Sequence, residues 1–142
     1  MWESKTEVYV HLVWSTYDRL PLISSDVERS LCRWLYRVAQ EMGCGAVAVG
    51  CAVDHVHVLV RMSPTRTVAE VAKRLKGSSS RLLNERCESV AWFRWQRGYG
   101  AFSVSRWDLK RVAAYVRNQK EHHARGTDIG FLEPSDRGAG NP

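Results

Sequence analysis

Ala46-Val47-Ala48-Val49-Gly50-Cys51-Ala52-Val53-Asp54-His55-Val56-His57-Val58-Leu59-Val60-Arg61 is the stretch on which the fold turns. Two apolar runs, Ala46 to Cys51 and Val53 to Arg61, flank a tight connection and read as neighbouring strands. Side chains two apart on a strand share a face. Val56, Val58 and Val60 therefore point to one side, a core side, and His55 and His57 project together from the other. On both flanks the period changes to that of a helix. Upstream, Ser25-x-x-Glu28 reads as a capping box, opening a helix with the apolar stripe Val27, Leu31, Trp34, Leu35, Val38 and Met42 and closed by Gly43. Downstream, Ser63-Pro64 breaks the chain and Thr67-x-x-Glu70 caps a helix with Val68, Val71, Ala72, Leu75, Ser79 and Leu82 inward.

Further out, Val8, Val10, Leu12 and Trp14 alternate with Tyr9, His11, Val13 and Ser15, a strand with two unlike faces. Trp92 to Trp95 and Gly100 to Val104 read as short strands. Ser105-x-x-Asp108 caps a third helix with Leu109, Val112, Ala113 and Val116 inward. The order β-α-β-β-α-β-α predicts an α+β fold, a ferredoxin-like split β-α-β sandwich. Its antiparallel sheet would carry helices on one face and leave the other open for an active site. Residues 1–125 form one domain in this reading. Residues 126–142, with Gly, Pro, Asp and Ser but no periodicity, form a flexible tail.

Composition narrows the class. The 142 residues, 44% hydrophobic and 25% charged, suit one globular domain rather than a disordered chain. Uncharged stretches such as Gly43 to Val53 are too short to span a bilayer, and the start has no apolar signal core. The expected location is cytoplasmic, with no membrane partner. The four cysteines make no C-x-x-C or zinc-finger spacing and read as reduced thiols. The net charge is +6, and it is concentrated. Arg61 to Arg106 holds ten basic residues against Glu70, Glu85 and Glu88, a net +7, and the rest of the chain carries −1. A field so placed points to a polyanion partner, although a solvated basic helix face would look the same.

Two imidazoles on one strand face can ligate a single metal ion, each through a neutral ring nitrogen. The plainer reading is two histidines satisfied by hydrogen bonds. Tyr115 and Gln119, four apart, are neighbours on one face of the third helix and gain meaning only if the H-x-H strand lies opposite. His11 shares its strand face with Tyr9 and Val13 and approaches the histidine pair if the first and third strands are neighbours. Lys73, Arg74, Lys76, Ser78 and Arg81 suit a phosphate backbone, as do Arg94 and Arg97 among Trp92, Phe93, Trp95, Tyr99 and Trp107. Aromatic rings interleaved with arginine suit unpaired bases. At least three of those five rings are expected to be core.

Five segments occur in a telling order: Tyr9-x-His11-Leu12-Val13-Trp14, Asp54-His55-Val56-His57-Val58-Leu59-Val60, Lys76-Gly77-Ser78-Ser79-Ser80-Arg81, Gly98-Tyr99-Gly100-Ala101-Phe102-Ser103-Val104-Ser105 and Tyr115-Val116-x-x-Gln119-x-x-His122-His123. Together, from Val8 to His123, the chain resembles the single-tyrosine transposases of small bacterial insertion sequences, the TnpA-type branch of the HUH (His-hydrophobic-His) endonucleases. The resemblance implies a ferredoxin-like fold, with His55, His57 and Gln119 as ligands of Mg²⁺ or Mn²⁺, for which other transition ions can substitute. It implies Tyr115 as a nucleophile forming a 5′-phosphotyrosine intermediate, and single-stranded DNA folded into hairpins as substrate. It also implies a homodimer. His122, one turn beyond Gln119, is a candidate to activate the phenol. Two other readings stand beside this one: a domesticated relative that grips DNA or RNA hairpins without cutting, and a metal-bound fold acting on a small phosphorylated molecule. After His123 the ending Ala124 to Phe131 departs from the family pattern.

Overall fold

The computed structural model describes residues 3–87, 90 and 92–119. The elements are β1 (Tyr9–Ser15), a 3₁₀ turn (Tyr17–Arg19), α1 (Ser25–Glu41), β2 (Ala46–Cys51), β3 (His55–Arg61), α2 (Val68–Arg86), β4 (Gly100–Val104) and α3 (Leu109–Arg117). The four strands form one antiparallel sheet in the order β2-β3-β1-β4, the split β-α-β arrangement. β1 and β3 occupy its centre. Their register sets Ser15 opposite His55, Val13 opposite His57 and His11 opposite Leu59.

The pleat sorts the residues as the alternation requires. Val10, Leu12 and Trp14 of β1 and Val56, Val58 and Val60 of β3 enter a core shared with Val27, Leu31, Leu35 and Val38 of α1 and Val71, Leu75 and Leu83 of α2. Burying such side chains is worth ~1.5–3 kcal/mol each, and this layer dominates the fold.

The expectation of helices on one face holds for α1 and α2. The third helix departs from it. α3 packs on the opposite face, where Ala113, Tyr115 and Val116 join Tyr9, Ala48 and Leu59 in a smaller cluster. Its apolar stripe told that it would be buried and was silent on the side.

Other local readings shift. The Thr67 box forms as expected: the Glu70 amide donates to Thr67 Oγ1 at 3.1 Å, and the Thr67 amide donates to Glu70 Oε1 at 2.7 Å. The Ser25 box does not, because Ser25 is already the first helical residue and Ser24 holds the cap position without a side-chain bond. Ser105 belongs to the turn before α3. Its carbonyl accepts from the Asp108 amide at 2.9 Å and its hydroxyl from the Trp107 amide at 3.2 Å.

Trp92 to Trp95 is not a strand. The Phe93 amide donates to Asn84 Oδ1 and its carbonyl accepts from Asn84 Nδ2, both at 2.8 Å, so a side chain of α2 takes the backbone groups a ladder would need. Trp95 keeps one isolated bridge to Thr16.

Candidate active site on the α3 face of the sheet

The α3 face carries an unusual cluster. His11, His55, His57 and Gln119 are each at most 1% exposed, and Tyr115 is 8% exposed. Burying a polar side chain without a partner costs ~1–3 kcal/mol, so a buried cluster of this kind must be internally ordered. Ring centroids lie 5.0 Å apart for His55 and His57, 4.9 Å for His11 and His57, and 5.7 Å for His57 and Tyr115. Thus the register that pairs β1 with β3, and the packing of α3 across β2 and β3, bring His55, His57, Tyr115 and Gln119 together with His11. His122 lies outside the described residues, as does the 126–142 tail.

His55 and His57 are each oriented through Nδ1. His55 Nδ1 is 2.8 Å from Asp54 Oδ1, and Arg19 Nε holds the other oxygen of that carboxylate at 3.3 Å. A carboxylate on Nδ1 holds a proton there, and in the neutral imidazole Nε2 then offers its lone pair. That Nε2 faces Gln119 Oε1 at 3.4 Å. The amide cannot turn its nitrogen inward, because Gln119 Nε2 donates to the Tyr115 carbonyl at 2.9 Å. In the neutral imidazole two lone-pair atoms therefore face one another, and in the imidazolium Nε2 donates to Gln119 Oε1. His57 Nδ1 is 2.7 Å from His11 Nε2. For His57 Nε2 to offer a lone pair, Nδ1 must carry the proton and donate it to His11.

These atoms fit a divalent cation. No group of three or more His, Cys, Asp or Glu able to hold a metal occurs among the described residues, so a site here draws on the glutamine oxygen for its third donor. Adjacent ligands of an octahedral ion at ~2.1 Å stand about 3 Å apart, close to the 3.4 Å between His55 and Gln119. Two imidazoles and an amide oxygen form a mixed set that Mn²⁺, Zn²⁺, Ni²⁺ or Co²⁺ accepts at least as readily as Mg²⁺.

Gly50 lets α3 reach this position. It pairs with His57 across the β2–β3 ladder. A Cβ on Gly50 would overlap the Val116 carbonyl oxygen and stand 2.7 Å from its carbon and 3.2 Å from Gln119 Cγ. Sequence reading missed Gly50, Asp54 and Arg19 as parts of this site. For Asp54 a signal existed, its adjacency to His55. The turn that aims Arg19 holds two non-glycine residues in the left-handed region, Asp18 and Arg19, each with φ 54°, at ~1–2 kcal/mol apiece.

The basic residues divide between two places. Lys73, Arg74, Ser78 and Arg81 line a cleft of about 700 Å³ that also takes in Trp34 of α1. They lie on the α1–α2 side of the sheet, away from Tyr115. Arg81 pairs with Glu85 at 3.1 Å. Lys76 is committed to structure instead, donating to the Gln96 and Gly98 carbonyls at 2.8 and 2.7 Å, and burial pushes its ammonium pKa down. Arg94 and Arg97 are exposed on the segment between Asn84's clasp and β4, at the His55 end of the sheet. Of the five rings, only Phe93 and Trp95 are core; Trp92, Tyr99 and Trp107 are 48%, 38% and 81% exposed.

An antiparallel ferredoxin-like sheet thus carries a histidine pair, a glutamine and a tyrosine on one face, and comparison with known proteins gives the chain its family. The family profile described as "Transposase IS200 like" matches residues 4–119. The chain belongs to that IS200-like transposase family. It is 24% identical over 116 residues to the ISDra2 transposase TnpA of Deinococcus radiodurans, covering 78% of this chain and 83% of the relative. It is 23% identical over 129 residues to the IS200 transposase of Salmonella typhimurium, covering 87% and 84%. The same fold is seen in a solved Deinococcus radiodurans R1 protein (TM-score 0.66, 24% identity, 84% of this chain and 98% of that one). It is also seen in a REP-associated tyrosine transposase solved with a REP hairpin (TM-score 0.61, 10% identity, 90% and 76%). Among the described residues no helix is long and apolar enough to cross a membrane.

Proposed function

We propose that this chain nicks and rejoins single-stranded DNA at hairpin-forming element ends, with Tyr115 as nucleophile and a divalent cation, Mg²⁺ or Mn²⁺, held by His55, His57 and Gln119. The carrying observation is the convergence of two buried imidazoles, a glutamine oxygen and a tyrosine on one sheet face, with His55 Nε2 3.4 Å from Gln119 Oε1 and the His57 ring 5.7 Å from that of Tyr115. A cation among them would draw on the two ring nitrogens and the amide oxygen. When bound, such an ion neutralises the phosphate and polarises it toward attack.

The chain's own residues do the rest. Asp54 and His11 hold the two imidazoles in the ligating tautomer. The Tyr115 oxygen bonds to phosphorus as the bond to the 3′ oxygen breaks; the phenolic proton leaves, and the 3′ oxygen takes one up. The product is a 5′-phosphotyrosine. This linkage keeps the energy of the diester, so another 3′-hydroxyl can reverse the step and join a new end without ATP. Within one chain the Tyr115 ring lies 5.7 Å from that of His57, centroid to centroid.

Incubation with hairpin-bearing single strands and Mn²⁺ should give a covalent adduct on denaturing gels. Tyr115→Phe should abolish it. Adduct formation by that variant would overturn the assignment, and binding without any adduct from the unmodified chain would favour a gripping protein that does not cut.

A further inference from the structure

One corner of the surface, at the His55 end of the sheet, gathers exposed aromatic rings and an arginine. Past Ser15, opposite His55, the chain enters the Tyr17–Arg19 turn. Tyr17 is 40% exposed and Trp92 48%, with ring centroids 5.9 Å apart and planes at 89°. The Arg94 guanidinium carbon lies 4.9 Å over the Tyr17 ring. Along 92–95 the side chains alternate outward and inward, so Trp92 and Arg94 face solvent as Phe93 and Trp95 enter the core.

The corner is tied together by hydrogen bonds. The Tyr17 amide donates to the Arg94 carbonyl at 2.9 Å, and the Gln96 amide donates to the Ser15 carbonyl at 2.9 Å. Asn84 clasps Phe93 on both backbone groups. Asp18 and Arg19 sit in the left-handed region, and Arg19 pairs with Asp54 at 3.3 Å. Tyr17 is thereby mounted on the unit that orients His55.

We propose that Tyr17, Trp92 and Arg94 form a seat for an unpaired nucleobase of the strand whose phosphate lies at Tyr115; this rests on the single-strand reading of that site. Rings held in place lose little freedom when a base stacks on them, and every base has a π face, so the seat tolerates any sequence. The guanidinium adds attraction for the base and the neighbouring phosphate. A base inside a duplex is already stacked and cannot enter. The other exposed ring under an arginine, Trp107 with Arg106 Cζ at 4.4 Å, lies beyond Val104 at the Tyr9 end of the sheet, away from His55.

The test uses the full chain carrying Tyr115→Phe, so binding is read without cleavage. Probes are a labelled oligothymidine, the same strand with one abasic residue moved along it, and a duplex of equal length. Trp92→Ala should weaken the single strand about ten-fold and leave the duplex unchanged, and Trp92→Phe should restore most of the loss. An abasic residue at one position should weaken binding to the Trp92 chain and make no difference to Trp92→Ala. Circular dichroism checks that the variants fold. Unchanged single-strand affinity in the Tyr17→Ala, Trp92→Ala double variant, or an equal loss on duplex, would overturn the seat. Absence of an adduct from unmodified protein would instead overturn the cutting reading, and the abasic result would stand apart from it.

Discussion

Gly50→Ala separates the positioning of α3 from the making of the fold. A Cβ on Gly50 would overlap the Val116 carbonyl oxygen and stand 2.7 Å from its carbon, against ~3.5–4.0 Å for ordinary carbon contacts, so the helix must retreat by more than about 1 Å. The obstacle is backbone and no rotamer change clears it. Overpacking of this kind costs ~1–3 kcal/mol, which a domain with its main core on the far side of the sheet survives. The retreat carries Tyr115 and Gln119 off His57 and His55, and a misplacement of ~1 Å at a reacting group costs about 10²-fold in rate. The measurement is the single-turnover rate of adduct formation on a hairpin-bearing strand with saturating Mn²⁺, beside a thermal melt. Gly45→Ala is the control, since nothing lies within 4 Å of its Cβ. The expected result is a folded Gly50→Ala protein slowed about a hundred-fold and a Gly45→Ala protein at full rate. A folded Gly50→Ala chain cleaving at the unmodified rate would refute the claim that this close approach positions the nucleophile.

Other perturbations read separate links. His11→Ala removes the partner of His57 Nδ1 and should lower Mn²⁺ affinity ~10–100-fold by calorimetry; equal affinity would mean that His57 is oriented by something else. Asp54→Asn should weaken the same binding within that range through His55, and Tyr115→Phe should leave it intact. Glu7 accepts a 2.7 Å bond from Arg106, which holds its carboxyl pKa below the usual 4.5. A carboxylate depressed on folding adds stability above its unfolded pKa and loses it as pH falls through the folded value. The melting temperature of the unmodified protein should therefore exceed that of Glu7→Gln near neutrality and converge with it in acid below 4.5. A gap that persists in acid would show that the charge is not responsible.

What the residues alone revealed follows from which interactions are local. The alternation of Asp54 to Val60 showed which histidines share a face, because a strand's period is fixed by its backbone. The Thr67 box was legible because both halves lie within one turn. The side of the sheet that α3 would choose was not legible. An apolar stripe demands a surface without naming one, and the close approach of α3 to β2 needs Gly50, fifty-nine positions earlier than Leu109. The mistaken strand at Trp92 has the same origin, since Asn84 outcompetes a ladder from a different element.

The site shows how these long-range choices add up to chemistry. Had α3 joined α1 and α2, Tyr115 and Gln119 would have lain across the sheet from the histidines, and His55 would have faced solvent with an ordinary shell of water. Packing α3 on the bare face instead buries four polar side chains that must then satisfy one another. Three of the contacts do so conventionally: Asp54 with His55, His11 with His57, and Gln119 with the Tyr115 carbonyl. The fourth, His55 Nε2 with Gln119 Oε1 at 3.4 Å, is a hydrogen bond when the imidazole is charged and sets acceptor against acceptor when it is neutral. In the neutral form the ring nitrogen and the amide oxygen converge beside a buried tyrosine in the arrangement a cation would complete, and the cost of burying the cluster would then be offset when metal and phosphate arrive.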